Sequence, residues 1–95
     1  MLIHENLKCY QMSLSVSKEA NRAFAKKLPR GYAYLNDQLK RAISSIVLNL
    51  AEGVYRKSTV ERKRFFEIAK GSASESSAIF DLLESFNLLS DQEYF

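Results

Sequence analysis

The chain has 95 residues, 46% hydrophobic and 26% charged, with a formal net charge of +3, which excludes a disordered chain and fits one globular domain over residues 1–95. Cys9 is the only cysteine, so an intramolecular disulfide is excluded and a reducing, cytoplasmic location is expected. No stretch approaches the ~20 apolar residues that cross a bilayer, and no secretory signal precedes the first helix, so no membrane contact is expected.

The first predicted helix spans about residues 4–28. Apolar side chains recur in steps of three and four from Ile3 to Leu28, the period of a helix that packs along one seam. The middle of this seam is polar, at Ser17 and Asn21, which indicates a close helix contact or, less readily, a functional polar contact. Proline and glycine in the segment 28–32 end the helix.

The second predicted helix spans residues 34–55. Its apolar residues extend around most of the helix, so more than one neighbouring element must pack against it. The remaining polar arc consists of Arg41, Ser45, Asn49, Glu52 and Arg56. A glycine at position 53 closes or kinks this helix.

The third predicted helix spans residues 59–87. Ser58 with Glu61 forms a capping box at its start, and Phe65, Ile68 and Phe86 are among its expected buried residues. The small residues 71–78 lower its helix propensity, which favours a second helix lying close by. A second capping pattern predicts the start of a fourth helix at 91–95, with Tyr94 and Phe95 packed against apolar residues.

Two motifs, 45–53 and 65–72, place polar residues or glycine inside apolar helical patterns. With their surroundings they resemble the small four-helix-bundle proteins encoded by intervening sequences of bacterial large-subunit ribosomal RNA genes. The residues that carry the resemblance are Arg41, Ser45, Ile46, Asn49, Ala51, Glu52, Gly53, Arg56, Ser58, Glu61, Arg64, Phe65, Ile68, Ala69, Gly71, Ser72 and Glu75. The resemblance implies an all-α, antiparallel up-down bundle of the four-helix type, here with three long helices and a short or truncated fourth.

The same bundle resembles the accessory proteins of diversity-generating retroelements, which form pentameric barrels that engage nucleic acid and a reverse transcriptase. A pentamer is therefore implied. The chain itself also predicts a homo-oligomer, because three helices cannot cover the apolar residues Leu48, Ala51, Tyr55, Phe80, Leu83 and Phe86. A ring of subunits is favoured over a dimer that completes a four-helix bundle.

The sequence contains few residues that could catalyse a reaction or bind a metal ion. One histidine, His4, and one cysteine cannot supply a four-ligand zinc site or the Glu-x-x-His pairs of a di-iron bundle. No phosphate-binding glycine loop or Ser/His/Asp set is present, so neither an enzyme nor a cofactor is expected.

Glu52 and Glu75 are assigned to ion pairs and not to acid–base chemistry. The hairpin register predicts Arg41 with Glu75 and Glu52 with Arg64, with contacts to a neighbouring subunit as the alternative. Asn49, Gly53 and Gly71 complete the set of predicted structural residues.

Basic residues cluster about the second helix, its exit loop and the start of the third helix. The candidate nucleic-acid-binding residues are Lys40, Arg41, Arg56, Lys57, Arg62, Lys63 and Arg64. On a monomer such a cluster is typical of a solvated face, but around a ring its potential would add up. One hypothesis is a non-catalytic oligomer that binds RNA or DNA; the alternative is a scaffold for protein partners whose charges serve solubility.

Overall fold

A computed structural model describes residues 3–23 and 28–89 of the chain. Within these residues a short 3-10 helix, Ile3–Asn6, is followed by helices α1 (Lys8–Ala23), α2 (Ala33–Val54) and α3 (Thr59–Ser85), without any strand. The all-α class is confirmed. The predicted fourth helix at 91–95, the packing of Tyr94 and Phe95, and the predicted helical positions 24–27 lie outside the described residues.

The first described residues, Ile3–Asn6, form a 3-10 turn where one continuous helix was expected. The amide of Leu7 donates to the carbonyl of His4 at 3.1 Å, which closes the turn. The His4 ring lies edge-on to Tyr10, with 4.8 Å between ring centroids, and its Nδ1 lies 2.9 Å from the Tyr55 hydroxyl. Because this contact ties the first residues to the far end of α2, the long first helix predicted from residue 4 is interrupted before Lys8.

A β-turn over residues 29–32 leads into α2. The amide of Tyr32 donates to the carbonyl of Pro29 at 3.0 Å, and Gly31 has a φ of 96°. A positive φ at the third position is the geometry of a type II turn, which favours glycine there. The turn brings the chain directly into α2 at Ala33, one residue before the predicted start.

Helix α3 has a defined cap at each end. At its start Ser58 Oγ accepts the Glu61 amide at 3.3 Å, which is the N-cap hydrogen bond of the predicted capping box. At its end Asn87 adopts a φ of 57°, while the amide of Leu88 donates to the Leu83 carbonyl at 2.8 Å. This is a Schellman motif with asparagine in the left-handed position, and it turns Leu88 back towards the core.

The core lies mainly between α2 and α3. Its buried members are Ala20 from α1, Leu35, Leu39, Ala42 and Ile43 from α2, and Ile79 and Leu83 from α3. One correction concerns the predicted exposed apolar patch, because Leu83 is completely buried while Leu48, Tyr55 and Phe86 are exposed. A second correction is that Ile68 and Phe86, both expected to be buried in the third helix, each have 41% of their surface exposed.

Helices α2 and α3 contact each other along their whole length. Tyr32 at the start of α2 lies 5.5 Å from Phe86 at the end of α3, measured between ring centroids. In the middle, Ser72 Oγ donates to Ser45 Oγ at 2.7 Å. At the other end Gly53 faces Phe66. The beginning of each helix therefore lies beside the end of the other.

Candidate nucleic-acid interface

The basic residues concentrate where α2 passes into α3. We call residues 52–64 the hairpin tip. The basic residues of the tip are Arg56, Lys57, Arg62, Lys63 and Arg64. The tip contains two acidic residues, Glu52 and Glu61, and five basic residues, so its formal net charge is +3. That value equals the formal net charge of the whole chain, since the nine basic and nine acidic residues elsewhere cancel.

Arg56 stabilises the hairpin tip through contacts with three of its neighbours. Its Nη2 lies 2.6 Å from Glu52 Oε2, one helical turn earlier, and its Nη1 lies 3.9 Å from Glu61 Oε2. The guanidinium carbon is 4.9 Å from the centre of the Phe65 ring, within the range of a cation–π contact. The positive charge of Arg56 is therefore largely neutralised by groups within the protein.

Arg62 fixes the loop from the other side. Its Nε donates to the backbone carbonyl of Arg56, which ties the first turn of α3 to the end of α2. The exposed side chains of Lys57, Lys63 and Arg64 form no ion pair within residues 3–23 and 28–89. The tip thus presents three uncompensated cations on a braced loop.

Lys40 and Arg41 do not join this group. They lie on α2 about 24 Å before Arg56 at the 1.5 Å rise of a helix. There they line a shallow groove with Ser44, Ser45, Leu48 and Asn49. The structure therefore divides the predicted binding residues into the tip and a separate pair on α2.

The polar residues of the two sequence motifs meet between α2 and α3. Asn49 Nδ2 donates to the Ser45 carbonyl at 2.8 Å, and Ser72 bridges from α3 to the Ser45 hydroxyl. Ser76, which the sequence did not single out, is buried and donates from Oγ to the Ser72 carbonyl at 2.9 Å. This ladder gives Asn49 a structural role and leaves it unavailable as a simple surface contact.

The predicted ion pairs between α2 and α3 are wrong within the chain. Glu52 binds Arg56 in its own helix, since a partner four residues away is reached without crossing to α3. No ion pair joins Arg41 to Glu75 in the part of the chain that the structure describes. Both of these side chains are exposed.

The two glycines of the motifs have opposite surroundings. A Cβ on Gly53 would lie 2.7 Å from Phe66 Cε1 and 3.2 Å from Phe65 Cβ, so a side chain there would displace the Phe66 ring and press on Phe65. A Cβ on Gly71 would meet no atom within 4 Å. A close approach of the two helices therefore exists at Gly53, which the sequence predicted only to close or kink α2. Gly71, in the segment where a neighbouring helix was predicted, faces open space in the single chain.

Alanine at these two positions should change stability in opposite directions. Gly53→Ala is expected to lower the free energy of unfolding by about 1–2 kcal/mol, because overpacking outweighs the gain in helix propensity. Gly71→Ala is expected to raise it by up to about 1 kcal/mol. Urea denaturation followed by circular dichroism measures both, and a Gly53→Ala variant as stable as Gly71→Ala would refute the assigned contact.

A family model described as 23S rRNA-intervening sequence protein matches residues 5–95. This chain belongs to that family. No match was found among curated proteins.

The assignment agrees with where the recognised residues of this intervening sequence protein lie. Ser45, Asn49 and Ser72 join α2 to α3, Gly53 permits their close approach, and Arg56 braces the tip. None of the helices in the described ranges combines the length and apolar character needed to span a membrane. The family motifs thus build the hairpin, while Lys57, Lys63 and Arg64 stay exposed at its tip.

Proposed function

We propose that this protein is a non-catalytic, oligomeric helical bundle of antiparallel up-down helices that binds the sugar-phosphate backbone of RNA or DNA through the hairpin tip. The observation that carries this proposal is the concentration of the whole net charge of +3 in residues 52–64. The proposal places the protein in the cytoplasm, without a catalytic role or a cofactor.

The side chains of the tip suit phosphate contact better than base recognition. Lys57, Lys63 and Arg64 carry long, exposed side chains without internal ion pairs among the described residues. Tyr55, the aromatic residue nearest the loop, is engaged by His4. Cations without a stacking platform bind backbone charge and do not read sequence. Binding should therefore be similar for different nucleic-acid sequences.

The proposed set of phosphate-binding residues is smaller than the set predicted from the sequence. Lys57, Arg62, Lys63 and Arg64 are proposed to contact phosphates, while Arg56 holds the tip in shape. Lys40 and Arg41 lie on α2 away from the tip and are left out of the proposed phosphate contact.

Oligomerisation would increase the electrostatic attraction between the hairpin tips and nucleic acid. A ring, favoured over a dimer, would repeat the charge of the tip around one axis and add the potentials of its copies. The apolar residues left exposed on one chain, Leu48 and Leu82 among them, favour such an assembly.

The alternative proposal is a scaffold for a different protein, with the tip serving only solubility. The exposed apolar residues away from the tip favour it. A pull-down from nuclease-treated lysate separates the two proposals, because a scaffold keeps its partner after RNA and DNA are removed.

The direct test is fluorescence anisotropy with a labelled RNA hairpin and a labelled DNA duplex at about 50 mM salt, where phosphate contacts are strong. Binding of both ligands with dissociation constants within a few-fold of each other is expected. Absence of binding to either at protein concentrations up to about 100 μM, the weak end of non-specific affinity, would contradict the proposal.

A further inference from the structure

A cleft with a volume of about 370 Å³ lies between α1 and α2. Its floor is apolar and consists of Ala20 from α1 with Leu39 and Ile43 from α2, all of them buried. On α2 the lining ends at Ser44, about two helical turns before the hairpin tip. Sites that hold small molecules in proteins have volumes of about 300–1,000 Å³. The cleft is therefore large enough for a small organic ligand and is separate from the tip.

The walls of this cleft are polar and basic. No acidic residue is found among the described residues that line it, so its lysines leave it positively charged. The polar side chains of the walls form no hydrogen bond or ion pair within residues 3–23 and 28–89. Positive charge, donors and acceptors are thus available above an apolar floor. The polar lining residues are Ser17, Lys18 and Asn21 on α1, and Asn36, Lys40 and Ser44 on α2.

The polar middle of the α1 seam belongs to this cleft. The sequence left two explanations open for Ser17 and Asn21, a close helix contact or a functional polar contact. In the structure both residues border the open space between α1 and α2. Asn36 and Lys40 face the same space from α2, one helical turn apart on one side of that helix. The arrangement favours the functional contact.

We propose that the cleft binds a mononucleotide, with its base on the apolar floor and its phosphate between Lys18 and Lys40. Lysine ammonium groups bind phosphate as point charges. The amides of Asn21 and Asn36 each carry a donor and an acceptor, the combination that pairs with the edge of a base. A mononucleotide thus uses the floor, the amides and the lysines together.

Simpler ligands use only part of this site. Inorganic phosphate would leave the apolar floor in contact with water. A fatty acid would cover Asn21 and Asn36 without offering their amides hydrogen-bond partners, which costs free energy. A free nucleotide and the terminal nucleotide of a strand carry the same base and phosphate, so both fit the proposal. Binding at the cleft does not require the hairpin tip.

Isothermal titration calorimetry with the four common nucleoside monophosphates tests the proposal. The salt concentration is about 150 mM, which screens attraction between distant charges. At least one nucleotide is expected to bind with a dissociation constant below about 1 mM, and its nucleoside, which lacks the phosphate, should bind about tenfold more weakly. Octanoate and inorganic phosphate serve as the probes for the simpler ligands and should bind more weakly than the nucleotide.

Two variants separate the phosphate contact from the base contact. Lys40→Ala should weaken the nucleotide about tenfold and leave the nucleoside unchanged, because only a charged hydrogen bond is lost. Asn36→Leu should weaken nucleotide and nucleoside by a similar factor, since it removes the amide and keeps the size of the side chain. The matched control Lys70→Ala removes an exposed lysine of α3 outside the cleft and should change neither affinity.

Several results would overturn the proposal. No binding of any of the four nucleotides at about 10 mM would show that the cleft is not such a site. Equal affinity for nucleotide and nucleoside, tighter binding of octanoate, or equal losses in Lys40→Ala and Lys70→Ala would exclude the assigned contacts. Unchanged circular dichroism shows that each variant is folded.

A short RNA with a 5′-phosphate distinguishes the two sources of the nucleotide. It is titrated into protein that carries Lys57→Ala, Arg62→Ala and Lys63→Ala, so that the tip does not contribute. Tighter binding than the free nucleotide, lost on adding Lys40→Ala, identifies a strand end; weaker binding identifies the free nucleotide. If the nucleotide binds while RNA and duplex DNA fail to bind the wild-type tip, only the proposed function falls.

Discussion

Replacing Leu39 by alanine is expected to lower the free energy of unfolding by about 2–5 kcal/mol. The side chain is 1% exposed and belongs to the cluster that joins α1, α2 and α3, so its removal leaves a cavity that its neighbours cannot fill. This is a large fraction of the stability of a small domain. Urea denaturation at low protein concentration measures the change.

Leu48→Ala is the matched control in the same helix. Because Leu48 is 66% exposed, the same substitution should change the stability of the single chain by less than about 0.5 kcal/mol. Equal losses at the two positions would show that the core is wrongly placed.

Removing three cations from the hairpin tip is expected to lower nucleic-acid affinity by about tenfold to a thousandfold at 50 mM salt. The variant carries Lys57→Ala, Arg62→Ala and Lys63→Ala together. Each lost phosphate contact means that about one fewer counterion is released on binding, so the losses of affinity from three contacts multiply. Anisotropy with the same RNA and DNA measures the loss.

A second triple variant, Lys8→Ala with Lys18→Ala and Lys70→Ala, removes the same charge from exposed positions away from the tip. It should retain most of the affinity. Since Arg62 also braces the loop, Lys57→Ala with Lys63→Ala alone should give an intermediate loss without touching that contact. Equal losses in the two triple variants would locate binding elsewhere than the tip.

Much of the hairpin could be predicted because its signals are local. Apolar residues with a helical period defined α2 and α3 to within about two residues, the usual uncertainty of a helix end. The capping box needed only Ser58 and Glu61, three positions apart. The basic character of the tip could also be predicted, since its cations are neighbours in the sequence.

The remaining features depend on contacts that a linear pattern does not contain. The turn before α1 follows from His4 meeting Tyr55, which lies 51 residues away. Glu52 could have paired with either Arg56 or Arg64, and only the positions of the side chains show that it pairs with Arg56. The separation of Lys40 and Arg41 from the tip, by contrast, already follows from the predicted helix at 34–55 and its rise of 1.5 Å per residue.

A salt titration of the wild-type protein on RNA and on duplex DNA tests the central claim most directly. With about three or four phosphates contacted per tip, the logarithm of affinity should fall linearly with the logarithm of salt, with a slope near −3 on duplex DNA. The slope should be shallower for the variant that lacks Lys57, Arg62 and Lys63. Affinity that does not change between about 50 and 200 mM salt would contradict binding through the phosphate backbone.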